Sequence, residues 1–155
     1  MKKRNVLVSS AALSALSFFS VGFLQGCAST PKTYEMPSKN DYQGYKLIDA
    51  VDKDTVALSI DTEDKIAIVV RDIGTTSYSY LEPRYSNSMA TYEGSSQCCA
   101  PTERLMGNSG LLVYKFSFTG KGNMTINLVA RHKGLSTTAK SFDGDKTTSV
   151  NLKVN

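Results

Sequence analysis

Apolar and polar residues alternate with a period of two through much of the chain beyond residue 55. This alternation is typical of β-strands that bury one face and expose the other to solvent. No segment shows a convincing amphipathic helix of ten residues. We therefore predict about seven short strands and an all-β fold, an antiparallel β-sandwich. The clearest alternating runs are 56–60, 66–70, 112–118, 124–130 and 150–154.

Turn-forming stretches separate these runs. Residues 61–64, 120–123 and 143–145 are rich in Gly, Asp and Asn, which suits hairpin connections. The chain has no Trp and no widely separated pair of core cysteines, so the Cys-Trp-Cys pattern of antibody domains is excluded. An immunoglobulin-like arrangement of the strands stays open.

The N-terminus has the layout of an export signal. Lys2, Lys3 and Arg4 precede an apolar run from residue 6 to 24, which closes on Gly26-Cys27. The sequence Leu-Gln-Gly-Cys that ends this run resembles a bacterial lipobox, in which the Cys receives a diacylglyceryl group before cleavage. We expect residues 1–26 to be a lipoprotein signal peptide, and a buried helix or uncleaved anchor is the alternative.

Loss of this signal would remove three of the 18 basic residues, and the remaining basic residues would be nearly balanced by the 14 acidic ones. A nearly neutral chain without a basic cluster is not expected to bind nucleic acid. Attachment to a lipid membrane would come from acyl chains such as palmitate on Cys27. Ala28 follows the Cys, which by resemblance to Gram-negative sorting predicts the outer membrane of a bacterial cell envelope.

The segment after Cys27 is polar and carries Pro31 and Pro37 without apolar periodicity. We interpret residues 27–45 as the lipidated Cys and a flexible tether, with an ordered N-terminal arm as the alternative. Residues 46–155 form the predicted β-sandwich domain.

Catalytic and metal-binding patterns are weak. His132 is the only histidine and lies between two basic residues, and no Gly-x-Ser-x-Gly motif occurs. We predict that the protein is not an enzyme and takes no cofactor. One His and three Cys make a poor zinc set, and the acidic pairs at 52–54 and 143–145 lack the further ligands of a calcium loop. We predict no metal site.

Cys98 and Cys99 are adjacent in a turn-rich stretch that ends at Pro101. Free thiols are not expected to persist in an oxidising compartment. The pair is therefore expected to form a vicinal disulfide, with a bond to another chain or a reduced, buried state as alternatives. Because a bond to another chain is among them, the oligomeric state is left open.

Three loops lie between strong strands, at 73–77, 105–110 and from Arg131 to about Lys146. In a sandwich whose strands alternate in direction, these loops leave from one edge. From about residue 54 onward the chain resembles the chagasin family of cysteine peptidase inhibitors. Its Asn-Pro-Thr-Thr-Gly motif corresponds to 73–77, its Gly-x-Gly-Gly motif to 107–110, and its Arg-Pro-Trp/Phe motif to 131–133.

The resemblance implies an immunoglobulin-like fold, and a papain-like cysteine peptidase as partner whose cleft the three loops block. It assigns peptidase contacts to Gly74, Thr75, Thr76, Gly107, Asn108, Ser109, Gly110, Arg131 and His132. Two departures bear on this, because Gly74 replaces the family's Pro and Lys133 replaces its aromatic anchor. The alternative function is a non-inhibitory envelope lipoprotein that uses the sandwich as a protein-interaction module.

Overall fold

The alternating runs form the strands of two stacked sheets. The computed structural model describes residues 34–99 and 110–155. Within these ranges a 3-10 turn (Lys39–Tyr42) precedes eight strands: β1 (Tyr45–Asp49), β2 (Thr55–Ile60), β3 (Lys65–Arg71), β4 (Tyr78–Tyr80), β5 (Ala90–Cys98), β6 (Leu111–Phe118), β7 (Gly122–His132) and β8 (Lys146–Val154). The predicted all-β sandwich is confirmed.

Each sheet contains four strands. Sheet A has the order β1-β3-β6-β5, and sheet B has the order β2-β8-β7-β4. Most neighbours are antiparallel, but β1 runs parallel to β3 and β2 runs parallel to β8. The predicted sandwich is therefore not purely antiparallel. Alternation shows which residues face the core, but it carries no information on the direction of the neighbouring strand.

Two of the predicted hairpin turns are in fact crossings between the sheets. The turn at 61–64 joins β2 of sheet B to β3 of sheet A, and the turn at 120–123 leads from β6 into β7 of the other sheet. The turn at 143–145 does end a connection between neighbouring strands, β7 and β8. Turn-forming residues predict that the chain reverses, but not which sheet it joins next.

The main core lies between the inner faces of the two sheets. Phe116 is fully buried on β6, and the ring of Tyr85 meets it edge-on with centroids 5.3 Å apart. Burial of this apolar surface is the main force that holds the sheets together. The other central residues are Ile60, Ile66, Ile68, Val70, Ile126, Leu128, Val150, Leu152 and Val154.

The outer face of sheet A carries a second apolar cluster. Ala67 and Val69 of β3 and Leu111 and Val113 of β6 are buried there, although they point away from the main core. The chain segment 34–44, which we call the N-terminal arm, packs over them through Tyr34, Met36 and Tyr42. Within the predicted tether, residues 34–44 are thus an ordered arm, because the sheet's second apolar face needs cover.

The described residues begin at Tyr34, so they include neither the predicted signal peptide 1–26 nor Cys27. The domain boundaries therefore stay a prediction. In the described ranges 34–99 and 110–155, no helix has the length and apolarity needed to span a membrane.

Candidate functional site

Three connections leave from one end of the sandwich. Loop 1 (residues 72–77) joins β3 to β4, loop 2 (99–110) joins β5 to β6, and loop 3 (133–145) joins β7 to β8. Arg71 at the end of β3 pairs with Leu111 at the start of β6, which also pairs with Cys98. Tyr78 at the start of β4 pairs with His132 at the end of β7. We call this end the loop edge.

Loop 1 is a tight turn closed by its own hydrogen bonds. The amide of Thr76 donates to the carbonyl oxygen of Ile73 at 2.9 Å, and its hydroxyl donates to the same oxygen at 2.7 Å. That hydroxyl also accepts from the amide of Tyr78 at 3.1 Å. Because these bonds occupy the Thr76 side chain, the exposed tip is formed by Gly74 and Thr75.

Asp72 fixes the base of loop 1. Its carboxylate is 5% exposed and accepts from the amide of Gly74 at 2.8 Å and from Nε2 of Gln97 at 2.7 Å. Its own amide donates to the carbonyl oxygen of Gly110 at 3.0 Å, which ties loop 1 to the end of loop 2. Proline lacks an amide hydrogen, so a Pro at position 74 would lose the bond to Asp72.

Sequence reasoning missed Asp72, although a signal was present. An Asp that directly follows a strand and stands two residues before a Gly commonly accepts from the backbone amide two positions on.

Lys133 ties loop 3 to loop 1. Its ammonium donates to the carbonyl oxygens of Gly74 at 2.8 Å and Thr76 at 2.7 Å, and its amide donates to Ser77 at 2.9 Å. From the sequence, Lys133 is notable only because it replaces the aromatic anchor of the family's third motif. In the structure its ammonium braces the backbone of the neighbouring loop, a role that no local pattern in the sequence indicates.

Arg131 lies in β7, just before loop 3, and its side chain is buried beneath that loop. It is 1% exposed, and its guanidinium meets the carboxylate of Asp145 through two hydrogen bonds of 2.9 and 2.6 Å. It also donates to the carbonyl oxygens of Ser136 and Ala139 and lies over the ring of Phe142. The sequence predicts that this side chain contacts a peptidase, whereas in the structure loop 3 folds back over it and leaves no exposed guanidinium.

The ion pair shifts the titration of both partners. Hydrogen bonds from Arg131 lower the pKa of Asp145 to about 2, with help from the amide of Phe142 and against the effect of burial. The bond to Asp145 in turn raises the pKa of Arg131. Both groups are therefore charged throughout the physiological range, and the fold of loop 3 is built around them.

His132 lies at the loop edge as the last residue of β7 and is exposed. Its ring meets that of Tyr78 edge-on at 5.7 Å, and its Nδ1 accepts from the amide of Gly134 at 3.3 Å. The ammonium of Lys146 lies 4.9 Å from the centre of the Tyr78 ring. These residues extend the exposed surface beside the loop 1 tip.

Loop 2 is described only at its two ends. The predicted contacts Gly107, Asn108 and Ser109 lie outside the described residues. Gly110 is buried with a φ of +92°, and a Cβ there would lie 2.6 Å from the carbonyl oxygen of Cys99. The sequence predicts that Gly110 lets a partner approach, whereas in the structure the close approach at this glycine is to the protein's own backbone.

The two adjacent cysteines are free, half-buried thiols and not the expected vicinal disulfide. A bulge at Gly94 interrupts the alternation of β5, and beyond it Ser96 and Cys98 face the N-terminal arm. Burial, followed by the hydrogen bond with Cys99, raises the pKa of Cys98 to about 12. Burial therefore keeps this thiol protonated and poorly nucleophilic, although the hydrogen bond with Tyr42 of the arm acts in the opposite direction.

Within the described residues, the loop edge combines exposed backbone and hydroxyl groups with few titratable side chains placed close together. No group of three or more His, Cys, Asp or Glu side chains in the described ranges is placed to hold a metal ion. Exposed atoms at the tip are backbone and hydroxyl groups, braced by the buried carboxylate of Asp72 and the exposed ammonium of Lys133.

No protein-family model and no curated protein matches the sequence. Among solved structures, the fold is similar to the crystal structure of the cysteine protease inhibitor EhICP2 from Entamoeba histolytica. The TM-score is 0.53 with 15% identity, over 70% of this chain and 95% of that one. The chain has the immunoglobulin-like fold of this inhibitor. The chagasin-like sandwich expected from the loop motifs is thus confirmed as a fold.

Two further structures show a weaker likeness. The solution structure of amebosin gives a TM-score of 0.40 at 16% identity, over 71% of this chain and 99% of that one. The structure of PbICP-C in complex with falcipain-2 gives 0.47 at 11% identity, over 72% and 91%.

Proposed function

We propose that this protein is a membrane-anchored inhibitor of papain-like cysteine peptidases that blocks the active-site cleft with the loop edge. The observation that carries the proposal is the bracing of loop 1 from two sides. Asp72 holds the amide of Gly74, and Lys133 holds the carbonyl oxygens of Gly74 and Thr76. On a sandwich with the fold of EhICP2, this bracing supports a fixed turn in the segment whose sequence resembles the family's Thr-Thr motif.

A fixed turn is what a steric inhibitor requires. Loops that are already ordered lose little conformational entropy on docking, so a surface of ordinary size can bind tightly. Thr75 projects at the tip and Thr76 is turned inward, so the proposal gives contact with the peptidase nucleophile to Thr75 and the turn's geometry to Thr76. His132 flanks the tip on the side of loop 3.

The anchoring part of the proposal rests on the sequence. The basic start, the apolar run and the Gly26-Cys27 end support export, acylation of Cys27 and retention in the bacterial envelope, at the outer membrane. Incorporation of labelled palmitate into the full-length protein, and its loss in Cys27→Ser, tests this part separately from inhibition.

The inhibition test uses residues 28–155, titrated against papain with a fluorogenic peptide substrate. We expect inhibition at micromolar concentration or below. Thr75→Trp places a bulky ring at the tip and should raise the inhibition constant at least tenfold, whereas Thr119→Trp, an exposed threonine beyond β6 at the opposite end, should not. Absence of inhibition by the wild-type domain at micromolar concentration overturns the proposal.

A non-inhibitory interaction module is the second candidate, and one observation favours it. The basic side chains at the family's third motif are both engaged by the protein's own groups, Arg131 by Asp145 and Lys133 by the carbonyl groups of loop 1. This motif thus offers a partner no exposed guanidinium, and Lys133 stands in place of the aromatic anchor. If papain is not inhibited, capture of an envelope protein by wild type and not by Thr75→Trp would support this module.

A further inference from the structure

The N-terminal arm begins at the loop edge. The hydroxyl of Tyr34, the first described residue, donates to the carboxylate of Asp49 at 3.1 Å, and the guanidinium of Arg71 lies 5.7 Å from the centre of its ring. Asp49 ends β1 and Arg71 ends β3, at the end of the sandwich from which loop 1 leaves. The point where the chain joins the folded domain is therefore beside the candidate binding surface.

The arm is fastened along its length. Pro37 is buried, Met36 packs on the apolar cluster of sheet A, and the hydroxyl of Tyr42 lies 3.4 Å from that of Ser96. Had residues 27–45 all served as a tether, they could extend to about 60 Å. With the arm docked, only the seven steps from Cys27 to Tyr34 remain, and these span at most about 25 Å.

We propose that the loop edge faces the lipid bilayer in the anchored protein, and that the bilayer screens it from soluble peptidases. This inference rests on the proposed acylation of Cys27 and on the proposed inhibitory function. A globular peptidase of about 200 residues is about 40 Å across, which exceeds the reach of the remaining tether. Full inhibition of a soluble peptidase then requires release of the domain or a longer tether.

Two positions just outside the ends of β7 report the orientation. Leu135 lies in loop 3, beyond the end of β7. Lys121 precedes the start of β7 at the opposite end of the sandwich, about 33 Å away. Both are exposed. In a Cys98→Ser, Cys99→Ser background, Leu135→Cys or Lys121→Cys carries a fluorescent donor, and the acylated protein is reconstituted in phosphatidylcholine vesicles that contain an acceptor-labelled lipid.

We expect energy transfer to the bilayer to be at least twofold more efficient from position 135 than from position 121. Insertion of 20 Gly/Ser residues between Ser29 and Thr30 should reduce this difference. The same insertion should lower the papain inhibition constant of the anchored protein at least tenfold, and it should leave the released domain (residues 28–155) unchanged.

Each result bears on a stated part of the proposal. Equal transfer from the two positions, or stronger transfer from 121, overturns the orientation even if the released domain inhibits papain. A released domain that fails to inhibit overturns the proposed function, while unequal transfer still supports the orientation. Failure of Cys27 to incorporate an acyl chain overturns both anchoring and orientation.

Discussion

Lys133 donates a hydrogen bond from its ammonium to the carbonyl oxygen of Gly74 at 2.8 Å, although 59 positions separate the two residues in the chain. The same ammonium reaches the carbonyl oxygen of Thr76. Two carbonyl groups on one turn thus share a single cation. The bond joins connections that belong to different pairs of strands, so that loops 1 and 3 behave as one surface.

Lys133→Met should weaken inhibition while leaving the fold intact. The variant keeps the aliphatic chain but removes the donors, so loop 1 must be ordered when the peptidase docks. We expect the papain inhibition constant to rise roughly five- to tenfold, about the worth of one net hydrogen bond. The thermal midpoint should change little. Lys140→Met, another exposed lysine of loop 3, is the control, and an equal effect from it would contradict the bracing role.

Arg131→Met should lower the thermal midpoint by roughly 5–10 °C, because it removes the guanidinium that donates to the Asp145 carboxylate and to two loop carbonyls. Melting followed by circular dichroism measures the shift. Lys53→Met breaks an exposed pair with Asp49 and should shift the midpoint by less than about 2 °C. Similar midpoints for the two variants would show that the buried pair does not hold loop 3.

The stabilisation that Asp145 provides should depend on pH. Its pKa is about 2 in the folded protein, against an ordinary value of 3.8. A lowered carboxyl pKa stabilises the fold fully above the unfolded value, and this contribution is lost as pH falls from about 4 through about 2. The difference in unfolding free energy between wild type and Asp145→Asn should therefore be constant from pH 6 to 5 and shrink towards pH 2. A difference that does not vary with pH would refute the assignment.

Gly110→Ala should destabilise the protein more than Gly144→Ala. Both glycines have a φ near +90°, but a Cβ at 144 meets nothing within 4 Å, whereas one at 110 would lie 2.6 Å from the carbonyl oxygen of Cys99. Gly144→Ala isolates the cost of the backbone conformation, about 1–2 kcal/mol. Chemical denaturation should give at least twice that for Gly110→Ala. Equal losses would mean that the two ends of loop 2 do not approach each other closely.

The fold was predictable where burial follows strand periodicity. On β6, Leu112, Tyr114, Phe116 and Phe118 face the main core as their alternation requires. The ordered arm was harder to predict, because its few apolar residues have no period of their own. The sequence signal for the arm lies on the outer face of sheet A, where Val69 and Val113 are also apolar and require another segment to cover them.

In the candidate site, too, some residues could be placed from the sequence and others could not. Position in sequence was enough to place Gly74, Thr75 and His132 at one edge, because loops of matching parity leave together. It was not enough for Arg131. Its burial depends on Asp145, 14 residues further on, and on the path that the intervening backbone takes around the guanidinium. A charged residue is buried only when such partners enclose it, and a local motif does not show them.

The parallel pairing of β2 with β8 sets the order in which the molecule assembles. Thr55 pairs with Ser149 and Ile60 with Val154, so an early strand waits for a partner some 94 positions later. Long-range pairings of this kind slow folding, because the entropy of closing a large loop is lost before any stabilising contact forms. A chain that emerges from its N-terminus first therefore leaves β2 unpaired until β8 has been made. We expect the pairing of β2 with β8, rather than an early hairpin, to complete the folded domain.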